Sequence, residues 1–400
     1  MSETKEIKRT PSLKQRRRDV LRRTGRSAKA TRLDLGRAPA EFYWVMVITA
    51  SFVMLGLIMV LSSSSVTSLH TGASAWGMFT RQSFWVGFGL AAMWGAYNLP
   101  YSRWTNSNLL GFFVLVILGM NLLVGLNGVV LNGANAWMDL GPFRLQPSEF
   151  MKLAMVLFAA NLLAGRHRAV RIRQIVLYPM WGIIGVPVAL CFLQKDFGSA
   201  LIFAGIGLGL MFMAGLPKRQ LALTTSAGLA LGALVFMNAG RANDRMTAFL
   251  NLEGTRDTTG YQVWQALLSI ANGGLKGTGI GSGTSKWGYV PLAYSDFIFS
   301  VIAEEMGAAG TVMVIGGFLA LVLVGMRIAV HAKDMHGAFI AGGISCWFGV
   351  QAIVNIGGVI GVLPMTGLTL PFLSYGGSSL IVSMAASGML LNVAREAKKA

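Results

Sequence analysis

Charge is scarce in this chain. Only 12% of its 400 residues are Asp, Glu, Lys or Arg, and acids number 16 against 34 bases. A water-soluble domain carries roughly 25% charged residues, so this composition excludes an ordinary soluble globular protein. The two cysteines, Cys191 and Cys346, each fall inside an apolar run. They read as small buried hydrophobes and exclude a disulfide framework. Four histidines show no metal-ligand spacing. The amino terminus lacks a cleavable-signal pattern, because its first apolar run begins only near Phe42 and is long enough to span a bilayer.

What is present is grease. The chain is 54% hydrophobic, with 50 glycines and a mean hydropathy of +0.58. The net charge of +18 could suggest nucleic acid, but thirteen of the 34 basic residues lie in the first 40 positions. Most others sit in short segments between apolar runs, which is how membrane topology is written. Residues 1–41 are too poor in apolar groups to fold alone. They are expected to form a disordered basic cytoplasmic tail that touches anionic lipid or docks a cytoplasmic partner.

Residues 42–400 read as one all-α, polytopic membrane domain of ten helices, each near the roughly 20 residues a span needs. The expected spans are 42–62, 82–98, 107–126, 147–164, 174–194, 197–215, 220–239, 308–328, 337–361 and 373–393. With the tail inside, the inner loops hold eight basic residues and the short outer loops hold three, Arg81, Arg144 and Lys195. Both termini are therefore expected in the cytoplasm, with a large outer loop, 240–307, between the seventh and eighth helices. A connection of that length marks function rather than mere linkage.

Within that loop, 261–271 reads as a short amphipathic helix and 273–283 as turns. A helix from Ser295 to Met306 would stack Asp296, Ser300 and Glu304 on one face, with Gly307 and Gly310 permitting a bend. Asp296 is the strongest catalytic candidate: partial burial raises a carboxylate's pKa toward the range of a general base. Its alternative is a carboxylate satisfying the backbone N–H groups of a helix start. Glu304 lies about 12 Å of helix rise away, beyond the roughly 5–9.5 Å of a glycosidase carboxylate pair. A supporting role suits Glu304 and Glu305 better.

Glu149 and Lys152 sit three apart at the start of the fourth span, either as functional groups or as an internal ion pair. Asp196, next to Lys195, is equally two-sided. The run GGLKGTGIGSG lacks the spacing of a nucleotide-binding loop and reads as a turn cluster. Lys276 and Arg245 nonetheless suit contact with a lipid-linked pyrophosphate. The segment PFLSYGGSS (371–379), containing Ser374, offers hydroxyls for close packing or for substrate.

These motifs together resemble one family, the SEDS proteins (shape, elongation, division and sporulation), the cell-division branch more than the elongation branch. The matching pieces are NGANAWMDLGPFRLQPSEFMKL (132–153), QKDFGSAL (194–201), DRMTAFLN (244–251), GYQVWQALLSIANGGLKGTGIG (260–281), SDFIFSVIAEEMG (295–307) and GVLPMTGLTLPFLSYGGSS (361–379).

The resemblance implies a ten-helix SEDS fold and a peptidoglycan glycosyltransferase that polymerises lipid II with inversion and loss of undecaprenyl pyrophosphate. It places the catalytic aspartate on Asp296. The substrate-binding set read with it is Lys152, Glu149, Asp196, Arg245, Gln262, Gln265, Lys276, Ser295, Glu304 and Ser374. No cofactor is required by the motifs, although a divalent cation such as Mg or Mn suits a pyrophosphate leaving group. The implied partners are a class B penicillin-binding protein, other division proteins and membrane lipids, with no nucleic acid; the implied place is the bacterial plasma membrane, at the division septum. A lipid II transporter and a non-catalytic scaffold for a transpeptidase are the competing roles. Three departures stand out: PLAYSDF where the family has PEAHTDF, Ala136 where it has arginine, and Lys195 where it often has proline.

Overall fold

The computed structural model describes residues 39–397 except 71–73, 105–106, 132–133, 142, 171 and 239. The expected basic tail lies almost wholly outside the described residues. In chain order come α1 (Ala40–His70), α2 (Gly77–Asn98), α3 (Tyr101–Trp104) and α4 (Ser107–Asn127). A small antiparallel sheet comes next, made of β1 (Val129–Leu131), β2 (Ala134–Asp139) and β3 (Arg144–Leu145), in the order β1-β2-β3. Then come α5 (Pro147–Gly165), α6 (Tyr178–Leu193), α7 (Phe197–Met213), α8 (Lys218–Asn238), α9 (Gly240–Leu250), α10 (Tyr261–Gly273), α11 (Ile298–Val330), α12 (Met335–Val359) and α13 (Gly377–Ala397).

Every expected span falls on a helix. Among the described residues, seven stretches are long and apolar enough to cross a membrane: Ala40–Ser65, Asn108–Asn127, Pro147–Gly165, Arg173–Leu193, Ile298–Val330, Met335–Val359 and Gly377–Ala397. The chain is a multi-pass membrane protein. The other three expected spans fall on α2, α7 and α8. Of these, α7 has only 17 residues, and the first turn of α8 carries Lys218, Arg219 and Gln220. At the centre of the bundle, α5, α12 and α13 bury most of their surface, and they carry Glu149, Lys152, Gln351, Asn355 and Asn392 inside. Polar groups at that depth need partners, and most of these find them at one end of the bundle, around Asp296 and the segment 361–376.

The structure corrects three expectations. The helix expected from Ser295 begins instead at Ile298, with Phe297 at its N-cap. Asp296 therefore precedes the helix and does not share a helical face with Ser300 and Glu304. The helix of the last expected span starts at Gly377 rather than 373, because 361–376 is a non-helical, folded-back segment containing Phe372 at φ 67°. The connections flanking the bundle also hold elements that the apolar pattern did not signal: the sheet at 129–145 and helix α9. The bend expected at Gly307 is present, with φ 62° and ψ −151° inside α11, a region open to glycine alone.

Candidate active site

The site is built from the glycine-rich turns outward. The break at Gly307 frees helical carbonyls, and the turns supply new donors for them: Thr278 N–H to Glu304 O at 2.9 Å and Gly279 N–H to Glu305 O at 3.0 Å. In return, Ala308 N–H donates to Gly274 O at 3.1 Å. A Cβ on Gly307 would overlap the backbone of Gly277, so glycine is demanded by both shape and dihedral angle.

The two glutamates complete this clamp. The Glu304 carboxylate accepts from Asn272 Nδ2 (2.9 Å), Thr284 N and Oγ1 (2.8 and 2.6 Å) and Ser285 N and Oγ (3.1 and 2.6 Å). Glu305 accepts from Ser62 Oγ of α1 at 2.6 Å and from Gly281 N–H at 3.0 Å. Lys286 donates to Gly281 O. The turns are thus packed against α11 and α1, and they fix the approach to 290–297.

Asp296 stands at the end of that approach, 9% exposed. Its backbone carbonyl accepts from Asn355 Nδ2 at 3.0 Å, and the same amide donates to Leu368 O at 2.5 Å. Ser374 Oγ donates to Ser295 O at 2.7 Å, and Tyr375 N–H donates to Tyr294 O at 2.9 Å. The segment 361–376 is therefore sewn along 294–296. At Gly367, φ 72°, a Cβ would lie within 3.5 Å of both Arg245 Nη2 and Asp296 Oδ2. Glycine there leaves room for the carboxylate and guanidinium to share one corner. Arg245 Nη1 also donates to Thr366 O at 2.9 Å.

That corner opens on a cavity of about 350 Å³ whose wall includes Glu149, Asp196, Arg245, Gln262, Ser295 and Asp296. Burial pushes the Asp296 carboxyl above its ordinary value, with Asp196 adding to the rise. The Ser295 hydroxyl and the Arg245 charge hold it down in part. A carboxylate placed this way is a stronger base than one in water.

Six of the eleven expected site residues meet in this one cavity. Lys152 does not line it: it is fully buried behind Glu149, donating to Glu149 Oε1 at 2.7 Å and Gln351 Oε1 at 3.0 Å. Ser374 supports the wall from behind. Glu304 is enclosed in the clamp, Lys276 is exposed on the turns, and Gln265 lies off the cavity wall. Asp196 caps α7, accepting from Ser199 N at 3.0 Å and Ser199 Oγ at 2.6 Å, while it also faces the cavity.

Missed from sequence were Asp244, Lys195, Gln146, Thr259 and Tyr375 on the wall, and Gln351 and Asn355 behind it. The last two lie four apart in an apolar helix, and the cost of burying polar groups at that depth is the signal that would have found them. Among the described residues, no three His, Cys, Asp or Glu side chains converge as metal ligands. A divalent ion held at this wall would complete its shell with substrate oxygens.

The same architecture occurs in known proteins. The family model described as cell cycle protein, covering FtsW, RodA and SpoVE, matches residues 43–399. The probable peptidoglycan glycosyltransferase FtsW of Mycobacterium tuberculosis is 35% identical over 366 residues, 92% of this chain and 70% of that protein. Stage V sporulation protein E of Bacillus subtilis is 36% identical over 352 residues, 88% of this chain and 96% of that protein. Among solved structures, a chain from work on the structural coordination of polymerization and crosslinking by a peptidoglycan synthase complex aligns with a TM-score of 0.74. It is 30% identical and covers 90% of this chain and 98% of that one. The rod shape determining protein RodA of Thermus thermophilus aligns with a TM-score of 0.65 at 30% identity, covering 88% of this chain and 95% of that one.

Proposed function

Because the chain belongs to the FtsW/RodA/SpoVE family and is a peptidoglycan glycosyltransferase, we propose that it polymerises lipid II at this cavity with Asp296 as general base. The observation that carries the reading is the buried Asp296 carboxylate, raised in pKa and set beside Arg245 on the cavity wall.

In the proposed step, Asp296 takes the proton from the 4-hydroxyl of one lipid II as that oxygen attacks the anomeric carbon of the growing chain. The bond from that carbon to the pyrophosphate oxygen breaks on the opposite side. Its electron pair leaves with undecaprenyl pyrophosphate, and the anomeric configuration inverts. The leaving group needs charge neutralisation rather than a proton. Arg245 and Lys195 on the wall are suited to supply it, whereas Lys152 is already engaged by Glu149 and Gln351.

The proposal extends to topology and setting. Ten passes, both termini inside and the cavity at the outer face accord with the excess of Lys and Arg in the inner loops. A cognate class B penicillin-binding protein is the proposed partner and the division septum the proposed place. The test is purified protein in lipid vesicles with that partner and lipid II. Lengthening glycan strands are expected; lipid II moved across the bilayer without any strand growth would contradict the proposal in favour of transport.

A further inference from the structure

Among the described residues, Glu149 has one carboxylate oxygen in use and one without a partner. Oε1 takes Lys152 Nζ at 2.7 Å, whereas Oε2 is buried with no hydrogen-bond partner among the described residues. The side chain is 2% exposed, yet the residue lines the cavity shared by Asp296 and Arg245. A buried carboxylate oxygen left unmet is costly, and nearly all such groups in folded proteins find a partner.

The other side of the pair is held by several groups. The Lys152 ammonium is fully buried, bonded to Glu149 and to Gln351 Oε1, and set 5.7 Å above the Trp347 ring. Gln351 Oε1 also accepts from Trp347 Nε1 at 2.6 Å, and Gln351 Nε2 donates to Thr369 O at 2.8 Å. Thr369 lines the same cavity. One buried cation thus ties α5 and α12 to the folded-back segment and fixes the orientation of the Glu149 carboxylate.

We propose that Glu149 is a substrate-binding residue whose Oε2 accepts a hydrogen bond from a neutral donor on the substrate sugars, a ring hydroxyl or an acetamido N–H. Lys152 and Gln351 are its positioning residues. A carboxylate oxygen repels phosphate, so this corner takes the sugar part of the ligand, and the diphosphate lies toward Arg245 and Lys195. The inference rests on the proposed function, in which a lipid-linked disaccharide enters this cavity.

The test measures binding without turnover. Affinity for lipid II is measured for the detergent-solubilised protein carrying Asp296→Asn, with and without Glu149→Gln. Glutamine keeps an acceptor for Lys152 and turns the unpartnered acceptor into a donor. Affinity should fall roughly 10- to 100-fold, with the melting temperature held within a few degrees. In parallel, lipid II analogues lacking single hydroxyls, or N-methylated at the acetamido groups, are measured against the Glu149 protein. One analogue should lose a comparable factor there and lose nothing further on Glu149→Gln. Unchanged affinity in a folded Glu149→Gln protein overturns the proposal. Should that variant not fold, the analogue panel decides alone: full affinity for every analogue also overturns it. Asp296→Asn protein that still polymerises would refute the base assignment and leave the Glu149 result readable.

Discussion

Ser295 donates its hydroxyl to Oδ1 of Asp296 at 2.8 Å. Burial drives that carboxyl toward its neutral form, and this hydrogen bond opposes the drive. The limb of kcat/KM that reports deprotonation of Asp296 should therefore sit above the ordinary carboxylate range. Ser295→Ala removes a group that favours the charged form, so the limb should move to higher pH and the rate on its acid side should fall. Ser295→Thr should restore it. A limb that stays fixed in Ser295→Ala would show that the hydroxyl does not act on the base.

Arg245 works on the same corner from a different element. Its guanidinium donates to Thr366 O at 2.9 Å and lowers the Asp296 pKa by its charge. Arg245→Met should raise KM for lipid II about tenfold or more and move the same pH limb upward. Arg245→Lys should recover only part of either effect, because an ammonium lacks the guanidinium fork. A steady-state comparison across pH checks both.

The clamp predicts a stability defect separate from catalysis. Glu304→Ala would strand donors from Asn272, Thr284 and Ser285 and should cost about 3–5 kcal/mol. Gly307→Ala would put a Cβ into the Gly277 backbone at a dihedral closed to alanine, and should also lower the melting temperature. Proteolysis should then cut preferentially within 274–285. Variants as stable and as resistant as the wild type would show that the turns are not held this way.

The apolar periodicity made the bundle readable, since the greasy segments fall on helices, seven of them among the described residues long and apolar enough to cross a membrane. Glycine-rich turns, the bend at Gly307 and the amphipathic helix α10 were equally visible. The start of α11 was not, because 290–297 is held by contacts distant in sequence, such as Asn355 to the Asp296 carbonyl, rather than by its own helical pattern. The small sheet was hidden for a related reason: its strands are three, six and two residues long. Lys152 was placed correctly on a face with Glu149. Its removal from the cavity, however, depends on Gln351 and Trp347 about 200 positions away, which spacing cannot show. Asp244 went unremarked beside Arg245 because an acid next to a base in a polar stretch carries no signal of burial or need.

The central claim is that one buried carboxylate takes the proton. Its folded pKa lies above the unfolded value, so its ionisation costs stability as pH rises through the folded pKa. Asp296→Asn removes both the base and that cost. Assayed at pH 7 with lipid II and the partner transpeptidase, the variant should lose at least about 100-fold in polymerisation rate and melt at or above the wild type. Strands growing at the wild-type rate from that variant would contradict the account.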